Sequence, residues 1–420
     1  MPLFSPRFHP GHRVQLLQGA QELFPALVRA MDAARTSVLL ETYIFDTTGA
    51  GADIARALAR AAARGVRTQL VVDGVGTGRL PAHWFAHLRS AGVQVRVYAP
   101  LGPLGLLLPG QWRRLHRKLC VVDGTVLFCG GINILDDFHD PHFGALPAPR
   151  FDFAVRTEGA LVAQAQATME QLWWRLQAVH DARHYHLPQA VQALREAGVG
   201  LHMGMGQRTR SRTRAHSAHG LGMRAALLLR DNLRHRSRIE RAYRRAIAMA
   251  REDIIIANAY FLPGGKLRRA LVLAAQRGVR VRLLLQGRYE YFMPHHAVRP
   301  VYHTLLQAGV EIYEYAPSFL HAKVAVIDAQ GRRPWATVGS SNLDPLSLLL
   351  AREANIVVRD KVFAARLRRC LERAIVDGGV DLTPERWQRQ GLWLRCLSWF
   401  AYGTVRAAMG LAGYGGRQSV

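Results

Sequence analysis

Apolar and polar positions along this chain form a pattern that is written twice. SVLLETYIF (37–45) is a short hydrophobic run ending in aromatic residues, and DIIIANAYF (253–261) has the same shape. Such runs predict buried strands. ALARAAARGVRTQLVVDG (57–74) is matched by ALVLAAQRGVRVRLLLQG (270–287): an amphipathic helix, a glycine cap and a second buried strand. LRSAGVQVRVYAP (88–100) is matched by LLQAGVEIYEYAP (305–317), another helix-to-strand unit of the same grammar. DFAVRTEG (152–159) and EANIVVRD (353–360) predict the closing strand of each copy.

Helices alternating with buried strands predict an α/β fold in which helices cover both faces of a sheet. Two copies predict two α/β/α sandwich domains related by a pseudo-twofold axis, with equivalent residues meeting at their interface. The expected division is residues 1–180, a basic flexible crossover over 181–220, a second domain over 221–380 and a tail over 381–420. Helix is expected over 160–178, and QRTRSRTRAHSAHG (207–220) is arginine-rich and poor in bulky apolar residues, which marks a connector.

The charge adds a partner class to this picture. Lys and Arg number 56 against 30 Asp and Glu, a net charge of +26, which suits a polyanion such as nucleic acid or an anionic lipid surface. Cys120, Cys129, Cys370 and Cys396 have no CxxC spacing and read as buried thiols, compatible with the cytosolic side of a membrane. The opening MPLFSPRFHPGHRVQLL lacks an apolar core of signal-peptide length, so no N-terminal membrane anchor is expected.

Lysine is nearly absent: Lys118, Lys266, Lys323 and Lys361 are the only ones. Two of them occupy the same place in two similar words, HRKLCVVD (116–123) and HAKVAVID (321–328). Alternation along a strand turns the His and the Lys of each word to one face. A neutral imidazole is a nucleophile and proton carrier near neutral pH, and an ammonium is a compact charge for a phosphate oxygen. Each word is followed by a tight turn and an asparagine, Gly130–Gly131 before Asn133 and Gly339–Ser340 before Asn342. Asn133 and Asn342 have amide donors for further phosphate oxygens, and the small turn residues let backbone approach closely.

HRKLCVVD with GGIN and HAKVAVID with GSSN resemble the paired HKD motifs of the phospholipase D superfamily. The order ETYIF, RGV, VVDG, HRK, NAYFLPGG, RGV, AGVEIYEYAP, LHAK, GSSNLDPLS is similar to bacterial cardiolipin synthases of the short type without N-terminal membrane helices. That resemblance runs from about residue 15 to residue 375. It implies two phospholipase D-like domains with one active site between them, and a two-step phosphatidyl transfer needing no metal or cofactor. By analogy His116 is the nucleophile and His321 the general acid and base, although the symmetry of the words leaves that order open. Lys118, Lys323, Asn133 and Asn342 are implied to stabilise charge on the phosphoryl oxygens. Asp152 and Glu353, at matching places in the closing strands, are implied to orient the imidazoles, each reaching the histidine of the opposite half. Asp123 and Asp328 complete the words and are counted with the catalytic set, but their position entering a turn marks them as supports of the fold. Tyr43 and Tyr260 end equivalent strands, where they line a headgroup pocket or pack in the core.

The resemblance also implies an anionic phospholipid membrane as partner, phosphatidylglycerol as substrate, and a peripheral location on the cytoplasmic face of the bacterial inner membrane. LGPLGLLLPGQW (101–112) precedes His116 and is too apolar for a solvated loop; it dips into the membrane or folds back over the core. In the tail, Arg395, Trp399, Tyr402 and Arg406 fall on one helical face and Leu394, Leu397, Ala401 and Val405 on the other, an amphipathic helix that lies on the membrane or spans it. These apolar segments argue against nucleic acid as the partner and against a nuclease, for which a basic groove with stacking aromatics is expected. A hydrolytic phospholipase D shares every catalytic residue, and a non-catalytic scaffold conflicts with two intact words. His139 with His142, and His184 with His186, lack further ligands nearby, which argues against a metal centre.

Overall fold

A computed structural model describes residues 6–102, 105, 112–140, 143–183, 186–206, 222–231, 237–288, 299–344 and 351–383. The first half contributes β1 (His9–Gln18), β2 (Ser37–Thr42), β3 (Arg67–Asp73), β4 (Gln94–Tyr98), β5 (Lys118–Val122), β6 (Val126–Gly130) and β7 (Phe153–Glu158). The second contributes β8 (Met223–Arg230), β9 (Asp253–Asn258), β10 (Arg280–Gln286), β11 (Glu311–Tyr315), β12 (Lys323–Ile327), β13 (Trp335–Gly339) and β14 (Ala351–Arg359). A short β15 (Gly379–Asp381) pairs with β11.

All these strands join in one sheet whose order is a near palindrome: β4-β3-β2-β5-β6-β7-β1, then β8-β14-β13-β12-β9-β10-β11-β15. The two halves meet where β1 pairs with β8, at His9 with Ala225 and His12 with Met223. Within each half, β2-β3-β4 and β9-β10-β11 are parallel and the strands carrying the HxK words run antiparallel to them. Every residue of β2 and β9 is buried, as expected for strands covered on both faces.

The helices follow the same duplication. α1 (Gly19–Asp32), α2 (Gly51–Ala63), α3 (Ala82–Ser90) and α4 (Leu161–Arg183) precede α5 (Leu187–Gly206), and α6 (Arg238–Met249), α7 (Gly265–Gln276), α8 (Arg299–Gln307) and α9 (Lys361–Gly378) repeat the first four. α2 and α7 stop in the same way, because Gly65 and Gly278 adopt φ of 83° and 84°, a left-handed conformation that glycine takes without steric cost. Leu23, Phe24, Leu27, Ile54 and Leu58 cover the outer face of the first half-sheet, and Ile239, Tyr243, Leu267 and Leu271 that of the second. A third apolar layer belongs to both halves: Leu39, Val121 and Val155 join Ile255, Val326 and Ile356, with Leu161 and Met169 of α4 and Leu367 and Leu371 of α9. The halves therefore share a core, which fixes one word relative to the other.

One expectation needs correction. Residues 187–206, assigned to a flexible crossover, form α5 against α4, with Ala190, Ala193 and Ala197 buried at spacings of three and four that make one helical face. The arginine-rich segment 207–220 and the tail from residue 384 lie outside the described residues, as does the 101–112 loop except residues 101, 102, 105 and 112.

Candidate functional site

Each word begins at a bridge between the halves. Leu115 pairs with Arg352 and Leu320 with Phe151 in short parallel contacts. The next residue is anchored in the same way on both sides: His116 N donates to Arg352 O (3.1 Å) and His321 N to Phe151 O (3.0 Å). Because Arg352 and Phe151 immediately precede Glu353 and Asp152, these bonds set each imidazole beside a carboxylate of the opposite half. His116 Nδ1 lies 3.1 Å from Glu353 Oε1 and 3.3 Å from Oε2. His321 Nδ1 lies 2.7 Å from Asp152 Oδ2. A carboxylate on Nδ1 holds the proton there and leaves Nε2 with its lone pair.

Two residues that sequence reading missed complete the anchoring. Asp73 Oδ2 accepts from Leu115 N (2.8 Å), and Gln286 Oε1 accepts from Leu320 N (3.0 Å). They end β3 and β10 at equivalent places in VVDG and LLQG. The available signal was a polar side chain closing an otherwise apolar buried strand, hidden because one copy has Asp and the other Gln. Asp73 also takes an ion pair from Arg114 at 3.1 Å. A buried pair between Arg117 and Glu41, likewise unforeseen, braces the first word from the other side of its strand.

Lys118 and Lys323 are buried, and each ammonium donates to the carbonyl of its own word's histidine, Lys118 Nζ to His116 O at 2.8 Å and Lys323 Nζ to His321 O. Burial and the nearby Lys323 bring Lys118 down to about 7. Burial and Lys118 likewise lower His116, against the pull of Glu353. His321 is held well below its ordinary value by burial, by Lys323 and Lys118, and by His116. The mutual influence of these four groups shows that they share one electrostatic neighbourhood. Burial raises Asp152 to about 7 despite Lys323. Burial also pushes Glu353 up, but His116, Arg230 and Lys118 outweigh it and the carboxyl falls below its ordinary value.

Asn133 Oδ1 accepts from Ile44 N at 3.2 Å, which leaves its amide N–H groups to donate; Asn342 is buried at the equivalent turn. Gly131 has a steric reason: a Cβ there would lie 2.4 Å from Asp152 Oδ1. The Tyr43 ring stands 4.9 Å from the His116 ring, with Lys118 Nζ 5.5 Å from its centre. Tyr260 is half-buried and packs against the shared apolar layer. Asp123 and Asp328, counted with the catalytic set, do not join it. They lie past the far ends of β5 and β12, where Asp123 accepts from the N–H groups of Arg35, Thr36 and Ser37 and Asp328 from those of Arg251, Glu252 and Asp253. A five-residue strand separates each from its histidine, so they staple the sheet to the preceding turn.

A two-half α/β chain whose HxK words meet crosswise at the interface is a protein of the phospholipase D superfamily. The family model described as "Cardiolipin synthase, PLD-like domain" matches residues 27–144 and 243–375, and the chain belongs to that family. It is 35% identical over 413 residues to cardiolipin synthase B of Salmonella typhi, covering 96% of this chain and 90% of that one. Cardiolipin synthase B of Escherichia coli (strain K12) is 34% identical over the same length and coverage. Among solved structures, phosphatidylserine synthase of Haemophilus influenzae Rd KW20 superposes with a TM-score of 0.65 at 11% identity, covering 97% of this chain and 96% of that one, a likeness of fold alone.

Proposed function

We propose that this chain is a cardiolipin synthase: it transfers a phosphatidyl group from phosphatidylglycerol to the headgroup of a second phospholipid and releases glycerol. The observation that carries this reading is the crossed pairing of His116 with Glu353 and His321 with Asp152 beside two buried lysines, in a chain of the cardiolipin synthase family.

In the first step His116 Nε2 attacks phosphorus, the bond from phosphorus to the glycerol oxygen breaks, and His321 gives that oxygen its proton. In the second, His321 takes the proton from the acceptor hydroxyl, the new oxygen–phosphorus bond forms and the nitrogen–phosphorus bond breaks. Dividing the displacement in this way replaces one difficult step by two easier ones. The diester anion suits the site, because its charge offsets the lysines that disfavour protonated His321. Lys118, Lys323, Asn133 and Asn342 supply donors to the phosphoryl oxygens, worth several kcal/mol where water is excluded, on the order of 2.7–4 for one preorganised donor. Tyr43 borders the headgroup. The halves 1–180 and 221–380 act as the two domains.

The family reading associates the chain with phospholipid membranes, and among the described residues no helix is long and apolar enough to cross one. We place the protein peripherally on the cytoplasmic face, held by its basic charge and the amphipathic tail. Incubating purified protein with labelled phosphatidylglycerol vesicles, with and without chelator, tests the reaction. Cardiolipin plus glycerol in both is the expected result; phosphatidic acid alone means a hydrolase, and no lipid product means the reading is wrong.

A further inference from the structure

The pseudo-twofold axis exchanges the His116–Glu353 pair with the His321–Asp152 pair, so any difference between their surroundings is a departure from a symmetric template. Two such departures surround Glu353. Strand register makes the comparison residue by residue. Gln18 pairs with Phe153 across β1 and β7, so Gly19 comes next, opposite Asp152, and its N–H donates to Asp152 O at 2.9 Å. Across β8 and β14 the residue opposite Glu353 is Arg230. One carboxylate thus has a glycine across the sheet and the other an arginine.

Arg230 is 1% exposed and belongs to no repeated word. It donates from Nη2 to Ala351 O at 2.8 Å, in the strand that carries Glu353. A guanidinium is charged at all working pH values, and burying it is costly without an anion nearby. Glu353, its cross-strand neighbour, is fully buried and lies within the electrostatic reach of Arg230.

The second departure is in the turns. Ser340 stands where the first half has Gly131. Its Oγ accepts from Ala354 N at 3.1 Å and donates to Glu353 Oε2. A hydroxyl has one hydrogen, and of its two acceptors the carboxylate is nearer than Ala354 O, which is at 3.4 Å. A serine at 131 has no room for the same bond, because its Cβ would meet Asp152 Oδ1.

We propose that Arg230 and Ser340 are positioning residues: acting through Glu353, they fix the charge and aim of the His116 pair, and their absence beside Asp152 makes the His321 pair electrostatically different. The groups facing Glu353 are then His116, Lys118, Arg230, Ser340 and the neutral thiol of Cys129, cationic or donating apart from the thiol. Asp152 faces Lys323, Lys118 and His321 but also the carboxyl of Asp137, and the charge of Arg150 acts on His321. The opposite directions in which Glu353 and Asp152 depart from ordinary carboxyl values agree with this census. His116 therefore keeps an anion beside it when its ring gains positive charge, whereas burial raises the Asp152 carboxyl above its ordinary value.

This inference rests on the proposed phosphatidyl transfer, and the test separates the two. The rate of cardiolipin formation against pH is measured for the parent protein, Arg230→Met, Arg230→Lys and Ser340→Gly, and the histidine imidazoles are titrated by nitrogen NMR without substrate, His116→Gln assigning the His116 signal. Arg230→Met is expected to move the acid limb of kcat up by about one pH unit, as loss of a nearby opposite charge does for a carboxyl. Arg230→Lys should stay close to the parent, and Ser340→Gly should move the limb the same way by less. The His116 signal should show the same upward displacement. A uniform loss of rate at every pH, or an unmoved His116 titration in both Arg230→Met and Ser340→Gly, overturns the proposal. Should Arg230→Met fail to fold, Ser340→Gly decides by the same criterion. A parent protein that makes no cardiolipin defeats the functional reading and leaves the NMR titration to judge the inference.

Discussion

His321 Nδ1 and Asp152 Oδ2 stand 2.7 Å apart although 169 residues of chain separate them and they belong to different copies of the repeat. The contact exists because Leu320 pairs with Phe151 across the interface. An asparagine at 152 keeps the size but loses control of the imidazole tautomer, a change that costs about 10⁴-fold in a related His–Asp arrangement. Asp152→Asn should therefore lower kcat by roughly 10²- to 10⁴-fold. Its effect on stability has the opposite sign. A carboxyl raised from 3.8 to about 7 by burial favours folding below the unfolded value and loses that contribution as pH rises through 7. Thermal melts at about pH 8 should show the variant at least as stable as the parent; a marked drop there would mean that Asp152 is mainly structural.

Lys118 offers a second handle on pH. Burial and Lys323 bring its ammonium down to about 7, so above that value the empty site holds less positive charge. Sulfate keeps one charge state through this range and suits the same donors. Its inhibition of lipid transfer should weaken by up to about tenfold per pH unit above 7, since one unit is 1.36 kcal/mol. Lys118→Arg, whose guanidinium stays protonated, should flatten the dependence while binding less well because its fork does not match a point-charge geometry. Equal inhibition by sulfate at about pH 6 and pH 8.5 in the parent would rule out Lys118 as the titrating group.

Asp123 separates folding from chemistry. Burial pushes its carboxyl up, but the N–H groups of Ser37, Thr36 and Arg35 and the Thr36 hydroxyl outweigh burial and bring it below 3.8. A depressed folded value means stability present above the unfolded pKa and lost as pH falls through the folded one. Asp123→Ala leaves several donors without this acceptor and should destabilise by about 1–3 kcal/mol. The melting temperature should fall at neutral pH, the gap to the parent should shrink in acid, and kcat per folded molecule should hold. A collapse of kcat with an unchanged melt would return Asp123 to the catalytic set.

Much of this arrangement was legible in the sequence because the duplication supplies two readings of each element. SVLLET and DIIIAN, RGV with its strand, and the two HxK words identify each other, and the shared place of Asp152 and Glu353 in the closing strands marks them as equivalents. What stayed hidden depends on contacts between segments with no local signature. Asp73 and Gln286 do the same work with different chemistry, so neither looks like a copy of the other. Arg230 is one arginine among many until the register places it opposite Glu353. α5 escaped because its buried face is made of the small side chains Ala190, Ala193 and Ala197, which acquire meaning only against α4.

Gly131 carries the most demanding prediction. Its φ is not left-handed, so the case for glycine is room and not backbone freedom. A Cβ there would lie 2.4 Å from Asp152 Oδ1, 2.8 Å from Oδ2 and 2.9 Å from the carboxyl carbon. No van der Waals contact is that short, so in Gly131→Ala the carboxylate must move, and the imidazole of His321 loses its partner. Gly131 N also donates to Phe153 O at 2.9 Å, which holds the turn against β7 and keeps the backbone from yielding instead. The substitution should lower kcat by about 10²-fold or more, approaching Asp152→Asn. The two changes act on one contact, so the double variant Gly131→Ala with Asp152→Asn should be hardly worse than Asp152→Asn alone. At Ser340 the backbone already accommodates a side chain, and Ser340→Ala should cost far less. Full additivity in the Gly131 and Asp152 cycle, measured as kcat/KM for cardiolipin formation, would show that Gly131 acts elsewhere.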